Sequence, residues 1–472
     1  MAQIELKREP TIKHKDIYIS MFSDTPENMD NDYSPTSAIQ TKFYGILCPI
    51  IAINGLVIDM ADITSFMLDG IPSVPTIELE FYDRNDSFKR FLDVGTDNIL
   101  QLQIIPPADD MYKKVNLDFY LYEFSADGGM YSCKGEYKLQ ALTDTRWKAM
   151  GEVSTYELMD KISLETGLGF ASNVDVIEDK RYITASYTTY LDLMKEEISR
   201  ALADGTQVYD WWIDFWDNLV ICNLYDRIKS VDQDEDMQVW EQSNVGNITQ
   251  GDESTYERSL ALYTNAPGRE TSNLYIDSAE PYSNPVSQNK GNSVATTCWL
   301  EEKHEYISDC ILDGDVEADA NVFTKYEYLG EVYGSYNYLM AEKARELYMD
   351  KMLAETLVVH TTVPQLCLNK GSQVKVVWYE NNSITQIRQD QIDGLYSTYE
   401  EQISEIGWLK DFMPEKDENQ PMLINLQISG QYTVLGQQIH FSGDSGTWDV
   451  YIKLTRPRET KPRILPNIEV EE

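Results

Sequence analysis

One stretch, residues 153–224, constrains the fold more than any other. Ser154-Thr155-Tyr156-Glu157 has the spacing of a capping box, in which the serine hydroxyl takes an orphan amide of the first turn and the glutamate reaches back to the serine amide. Val153 and Leu158 stand where a hydrophobic staple needs them. Leu158, Met159 and Ile162 make a buried stripe, and Gly167 supplies the stop. Leu191, Met194, Ile198, Ala201 and Leu202 recur at helical spacing and predict a second helix over 189–204, ended by Gly205. A dense aromatic and β-branched run, 208–216, is followed by Asp217-Asn218 and then Leu219-Val220-Ile221-Cys222, which reads as a β-hairpin turning at Asp217-Asn218. The stretch is therefore helix, linker, helix, hairpin: a small α/β module.

On either side the pattern is β. Cys48 and the apolar residues after it lead into Asn54-Gly55, the strongest hairpin turn in the chain, and Leu56 onward returns. Alternation with period two marks 76–82 and 116–122; 63–68, 98–105 and 130–142 complete six or more antiparallel strands, the pattern of a barrel or closed sandwich. Strand patterns resume at 357–360, 374–378, 423–428, 432–435, 438–441 and 448–454, with turns expected at Lys370-Gly371, Ser429-Gly430, Gly436 and 443–446.

The fold class expected is α+β, mainly β: two β barrels flanking the module, with insertions. The division is an N-terminal arm, 1–40; a first β-barrel domain, 41–145; the α/β module, 146–229; a loop-rich insertion with short strands, 230–335; a linking helix, 336–353, with Leu339, Met340, Ala344, Leu347 and Tyr348 on one side; a second β-barrel domain, 354–456, interrupted at 381–421; and a C-terminal tail, 457–472. The arm starts with Lys7, Arg8, Lys13 and Lys15 and reads as a solvated tail, or else as a segment that docks on an acidic neighbour. The tail carries Pro457, Pro462 and Pro466 among Arg458, Lys461 and Arg463; proline bars it from a central strand, so it reads as a strap across an acidic surface or as a disordered end.

Charge narrows the functional classes. Asp and Glu number 79 against 39 Lys and Arg, a formal charge of −40, which argues against nucleic-acid binding because that needs a basic footprint. Solubility accounts for such a charge; a carboxylate-lined passage that repels DNA phosphates would be a further use of it. The six cysteines lie far apart and form no C-x-x-C pair, as expected of reduced, buried thiols in a protein made in a cytosol. No signal segment is read at the start, and the apolar run 46–60 is broken by Pro49 and Asn54-Gly55, too short to span a bilayer.

Three places carry a resemblance to a known family. They are Ser154 to Leu168 with the second helix and Trp212-Ile213-Asp214; the segment from Met340 through Thr356-Leu357-Val358-Val359 and Pro364-Gln365-Leu366 to Lys370-Gly371 and Val374-Lys375-Val376; and Gly430-Gln431-Tyr432-Thr433-Val434 with Trp448-Asp449-Val450-Tyr451-Ile452-Lys453-Leu454. In this succession the chain resembles phage tail or baseplate hub proteins: the late control protein D family and the hub half of VgrG spikes. The resemblance covers about half the chain. It implies a homotrimer whose six tail-tube-like barrels adapt a six-fold tail tube to a three-fold spike or tail tip and line the DNA passage. The implied partners are further copies of itself, a tail tube protein, a spike or tail-tip protein and other baseplate proteins. The implied location is the virion tail, after synthesis in the host cytoplasm, with no sequence-specific nucleic-acid binding and no membrane insertion.

No catalytic, cofactor-binding or metal-binding residue is assigned. His14, His304, His360 and His440 lack zinc-ligand spacing. Asp232-x-Asp234-x-Asp236 begins like a calcium loop but has Met237 where glycine is required and Ser243 where the bidentate glutamate belongs; Asp313-x-Asp315-x-Glu317 fails the same test. Asp210, Asp214 and Asp217 among Trp211, Trp212 and Trp216 imitate a glycosidase cleft, but carboxylates pointing to water or capping amides are the plainer reading. The chain is thus read as a non-enzymatic scaffold. A carbohydrate-binding tail adhesin, on the Tyr and Trp content, is the alternative, and a hydrolase ranks last.

Overall fold

The computed structural model describes residues 4–15, 17, 48–84, 88, 98–105, 115–177, 179–199, 201, 209–224, 355–361, 370–381, 409, 422–425, 428–443 and 445–456, together with strand backbones at 238–242, 274–276, 278–283, 293–300, 305–312 and 323–326. Several expectations lie outside these residues: most of the arm beyond Ile17, the acidic loops at 232–236 and 313–317, the linking helix 336–353, nearly all of the insertion 381–421, and the tail 457–472. The fold is mainly β with few helices, the α+β class expected.

In the first β region, Cys48–Ile53 turns through Asn54 (φ 51°) and Gly55 (φ 83°) into Leu56–Val57. Ile63–Asp69, Thr76–Tyr82, Ile99–Ile105, Val115–Asp127 and Met130–Tyr137 follow, every pairing antiparallel. Period-two alternation places Phe66, Leu68, Ile77, Leu79, Phe81, Leu117 and Phe119 on one buried face. Where a strand was expected to run on to 142, the chain instead makes a short helical turn, Gln140–Thr143.

The second β region is sewn onto the first. The turn expected at Gly436 is not one: Gly430–Ser442 is a single strand. It pairs with Thr447–Arg456 from Thr433 to Ser442, while its other edge changes partner. Residues Gly430 to Thr433 pair with Gln373–Val377, and Gln438 to Ser442 pair with Ile63–Asp69 of the first region. At the changeover Leu435 is an extra residue, and Gly436 (φ 151°) absorbs the bulge. Two hairpins, one from each region, thus lie side by side in antiparallel contact within one continuous sheet. Glu355–Thr361 extends that sheet beyond Thr447–Arg456. The region expected to be loop-rich contributes as well: Gln238–Gln242 pairs parallel with Gln373–Val377, and Ser278–Ser283 pairs with Glu355–Thr361. Ser293–Leu300, Glu305–Leu312 and Phe323–Tyr326 make a separate three-stranded sheet.

The module keeps its grammar. Thr155–Thr166 is capped by Ser154, whose hydroxyl accepts from the Glu157 amide at 3.1 Å while Glu157 accepts from the Ser154 amide at 3.1 Å; Gly167 (φ 80°) ends it. The second helix is Tyr190–Ser199, capped by Thr189, and its buried face is Tyr190, Leu193, Met194, Glu197 and Ile198. Leu191 is only partly buried. Tyr190 turns inward because Arg146 lies 4.6 Å from its ring. Glu197 turns inward because Arg181 holds it together with Asp179, whose carboxylate also takes the Thr155 amide and hydroxyl.

The arm is not a solvated tail. Glu5–Arg8 adds an antiparallel strand to Gly169–Ser172, which runs parallel to Asn218–Asn223, itself the partner of Tyr209–Ile213. Arg8 ties Asp160 at 2.7 Å, Lys7 ties Asp175 at 2.8 Å, and the Thr11 and Ile12 amides both donate to the Gly167 carbonyl. Ile17 then covers Ile50 and Ala52, on the opposite face of that strand from Ile51 and Ile53. The acidic neighbour is the chain's own module. Cys133 and Cys222 are buried free thiols, and burial pushes Cys133 up to about 12. Among the described residues no helix is long and apolar enough to cross a membrane.

Candidate functional site

Arm, hairpin and both β regions meet around one turn. Tyr209–Ile213 and Asn218–Asn223 are buried at every position, because helices cover one face of their sheet and the second β region covers the other. The turn between them is Asp214 to Asp217, four residues rather than the two expected. Asp214 organises it: one carboxylate oxygen accepts from the amides of Trp216 (2.9 Å) and Asn218 (2.8 Å), the other from the Asn218 side chain (2.8 Å). Asp217 can then adopt φ 62°, a left-handed value that aspartate tolerates. Burial raises the Asp214 pKa to about 6 even though these donors favour the charged form.

Asp217 faces the arm and the first β region. His14 Nε2 lies 2.7 Å from its carboxylate, and His14 Nδ1 lies 3.5 Å from Asp118 on Val115–Asp127. Tyr137 donates its hydroxyl to Asp217. Burial works against a charge on His14, but the two carboxylates outweigh it and push the pKa up to about 9. Tyr137 is raised well above its ordinary value by burial and by Asp217.

Strand alternation turns Asp210, Trp212 and Asp214 toward the second β region. Lys370 reaches Asp210 at 2.6 Å, with both side chains nearly buried, and its ammonium lies 5.5 Å from the Trp212 ring. Gly371 packs against Trp212 and donates its amide to Val434 at 2.8 Å. A void of about 10 Å³ remains between Gly70, Trp212, Ile213, Asp214, Phe215, Lys370, Gly436 and Gln437. That is room for about one water molecule and none for a sugar ring.

The three aspartates singled out in the sequence are therefore brought together, but buried and committed: Asp210 to Lys370, Asp214 to its own turn, Asp217 to His14 and Tyr137. They make a polar rivet, not an open cleft. Lys370 and His14, which complete it, lie more than 100 residues from their partners in sequence, and no local pattern announces them. Of the other histidines, His360 lies 3.0 Å from Asp449 and His440 stands edge-on to Tyr451; His304 is outside the described residues. No group of His, Cys, Asp and Glu fit to hold a metal occurs among the described residues.

The chain path is similar to those of solved tail proteins. A tail protein from Neisseria meningitidis MC58 shares 8% identity, over 87% of this chain and 97% of its own, with a TM-score of 0.48. The 43 kDa tail protein of prophage MuSo2 from Shewanella oneidensis shares 13%, over 87% and 98%, with a TM-score of 0.49. The E. coli c3393 protein, a component of the type VI secretion system with structural similarity to T4 bacteriophage tail proteins, shares 9%, over 88% and 80%, with a TM-score of 0.41. At such identities the likeness concerns the fold alone. No family model matches the sequence, and no curated protein does.

The rivet has a measurable pH signature. His14 is raised in the folded chain, from 6.5 to about 9, so its stabilisation is complete below pH 6.5 and is lost as pH rises through 9. The urea stability of His14→Gln is expected to fall ~2–3 kcal/mol below the parent at pH 6 and to converge on it by pH 10. A gap that stays constant with pH would mean that His14 acts through packing alone.

Proposed function

We propose that this chain is a structural tail component: a trimeric hub that joins a six-fold tail tube to a three-fold spike or tail tip, with a central passage for DNA. The observation that carries the reading is the splice between the two β regions. Two hairpins pair antiparallel across Gln438 to Ser442 and Asp69 to Ser65, so one chain presents two β units edge to edge. Three copies would present six, the number a six-fold tube requires, and a closed ring leaves few free sheet edges. The rivet supports the same role, since charged groups buried at the meeting of arm, hairpin and both β regions hold the units in one orientation. The charge of −40 suits a passage wall that does not retain DNA.

The partners in this reading are two further copies of the chain, a tail tube protein, a spike or tail-tip protein and other baseplate proteins; the chain is neither an enzyme nor inserted in a membrane, and its place is the virion tail. Light scattering coupled to size exclusion is expected to give three times the chain mass of 54.3 kDa, alone or with tube and spike proteins added. A strict monomer in both conditions would overturn the proposal.

A further inference from the structure

The void beside Trp212 follows from the backbone around it. Its walls come from four parts of the chain: Gly70 after Ile63–Asp69, Trp212 to Phe215 of the hairpin, Lys370 ahead of Gln373–Val377, and Gly436 with Gln437 on Gly430–Ser442. Two of these residues are glycines, which send no side chain into the gap. The walls have no room to close on it either. Gly436 already stands against the backbone of Gly70 and Ile71, and Lys370 is held by Asp210 at 2.6 Å.

One wall brings a donor that the protein does not satisfy. Trp212 is 3% exposed, its Nε1 is buried, and among the described residues no group accepts the indole N–H. That nitrogen can only donate, and a buried donor is expensive to leave unmade. Buried tryptophan N–H groups therefore usually find an acceptor.

The other walls offer matching groups. The Lys370 ammonium has three N–H donors, and its pairing with Asp210 can occupy only part of them. The Asp214 carboxylate accepts from the amides of Trp216 and Asn218 and from the Asn218 side chain, and a carboxylate has about four lone-pair sites. Two donors and an acceptor around a space of about 10 Å³ match an internal water, which ordinarily makes about three hydrogen bonds. We infer that the void holds one water molecule, which accepts from Trp212 and Lys370 and donates to Asp214, and so bridges the hairpin and the second β region where both face Gly70.

A neutral ligand suits the site better than an anion. Lys370 brings one positive charge, already met by Asp210, and Asp214 lies on the same wall, so a halide would face two carboxylates. The inference is independent of the hub reading.

The first test needs no variant. A high-resolution crystal structure of the full chain, grown in bromide in place of chloride, is expected to show a water peak ~2.7–3.2 Å from Trp212 Nε1 and Lys370 Nζ, without anomalous signal. An anomalous peak there would assign the site to an anion and overturn the inference, as would a void without density. In solution, oxygen-17 relaxation counts long-lived internal waters. Replacing the Trp212 side chain with that of benzothienylalanine keeps the outline of the ring and puts sulfur where the N–H was. The count should then fall by one relative to the parent. An unchanged count would overturn the inference too, because the indole N–H would not be what holds the molecule.

Discussion

Replacing Gly436 with valine is expected to be the most damaging single substitution at the seam, ~4–6 kcal/mol, from left-handed backbone strain and overpacking of similar size. The position sits at φ 151°, where only glycine is at ease, and a Cβ there would stand 2.6 Å from the Ile71 Cα and 2.8 Å from the Gly70 carbonyl oxygen. Both are backbone atoms, so no side-chain rotation relieves the clash. Gly70 has little room to retreat: its amide donates to the Gln437 carbonyl at 2.9 Å, and Phe215 lies against it. Gly55→Ala is the control. It also has positive φ (83°) but nothing within 4 Å of the added carbon, so it should cost only about 1 kcal/mol. Thermal melting of both variants separates strain from collision. Equal losses would mean that the close approach at the seam carries no weight. Against a usual stability of ~5–15 kcal/mol the valine variant stands near the limit of folding at all, and its soluble yield is a second measure.

What the sequence shows of this fold is what short range can encode. The capping box at Ser154 to Glu157 and the turn at Asn54-Gly55 are complete within four residues, and both were legible. So was the alternation of 76–82, because a half-buried antiparallel strand needs nothing beyond period two. Gly436 misled, because a glycine between two apolar strands signals a turn or a bulge equally, and only the partner strands decide. Here the outer edge of Gly430–Ser442 changes partner, and a continuous strand with one extra residue serves where a turn would break the seam. Glu197 was invisible as a core residue, since its burial depends on Arg181, 16 positions away on another element. The arm misled for the same reason: the partner of Glu5–Arg8 lies beyond residue 168, and a polar tetrapeptide that completes a sheet edge looks like a tail until that edge is known. In the candidate site, the aspartates could be picked out, but their commitment could not, because His14 and Lys370 come from opposite ends of the chain.

Lys370→Met is expected to cost ~3–5 kcal/mol, the usual loss when one member of a buried ion pair is removed. The substitution keeps much of the side-chain volume, so the loss reports the charge. It leaves the Asp210 carboxylate buried without the ammonium 2.6 Å away, and it removes the cation from beside the Trp212 ring. Asp210→Asn in the same chain should restore a large part, since an amide needs no counter-charge, and the coupling from the double-mutant cycle should be on the order of 2 kcal/mol. Salt gives an independent check. Between 0.1 and 1 M the screening length shrinks from ~10 to ~3 Å, which weakens exposed pairs such as Lys134 with Glu123 far more than a pair with side chains 12% and 9% accessible. A coupling energy that collapses at high salt would place Lys370 and Asp210 in solvent. One that persists would locate the attachment of the second β region to the hairpin at this pair. Hydrogen exchange of Lys370→Met should then show faster opening at 209–213 and 430–434, with Thr155–Thr166 unchanged, because that helix is held by its own cap and by Asp179.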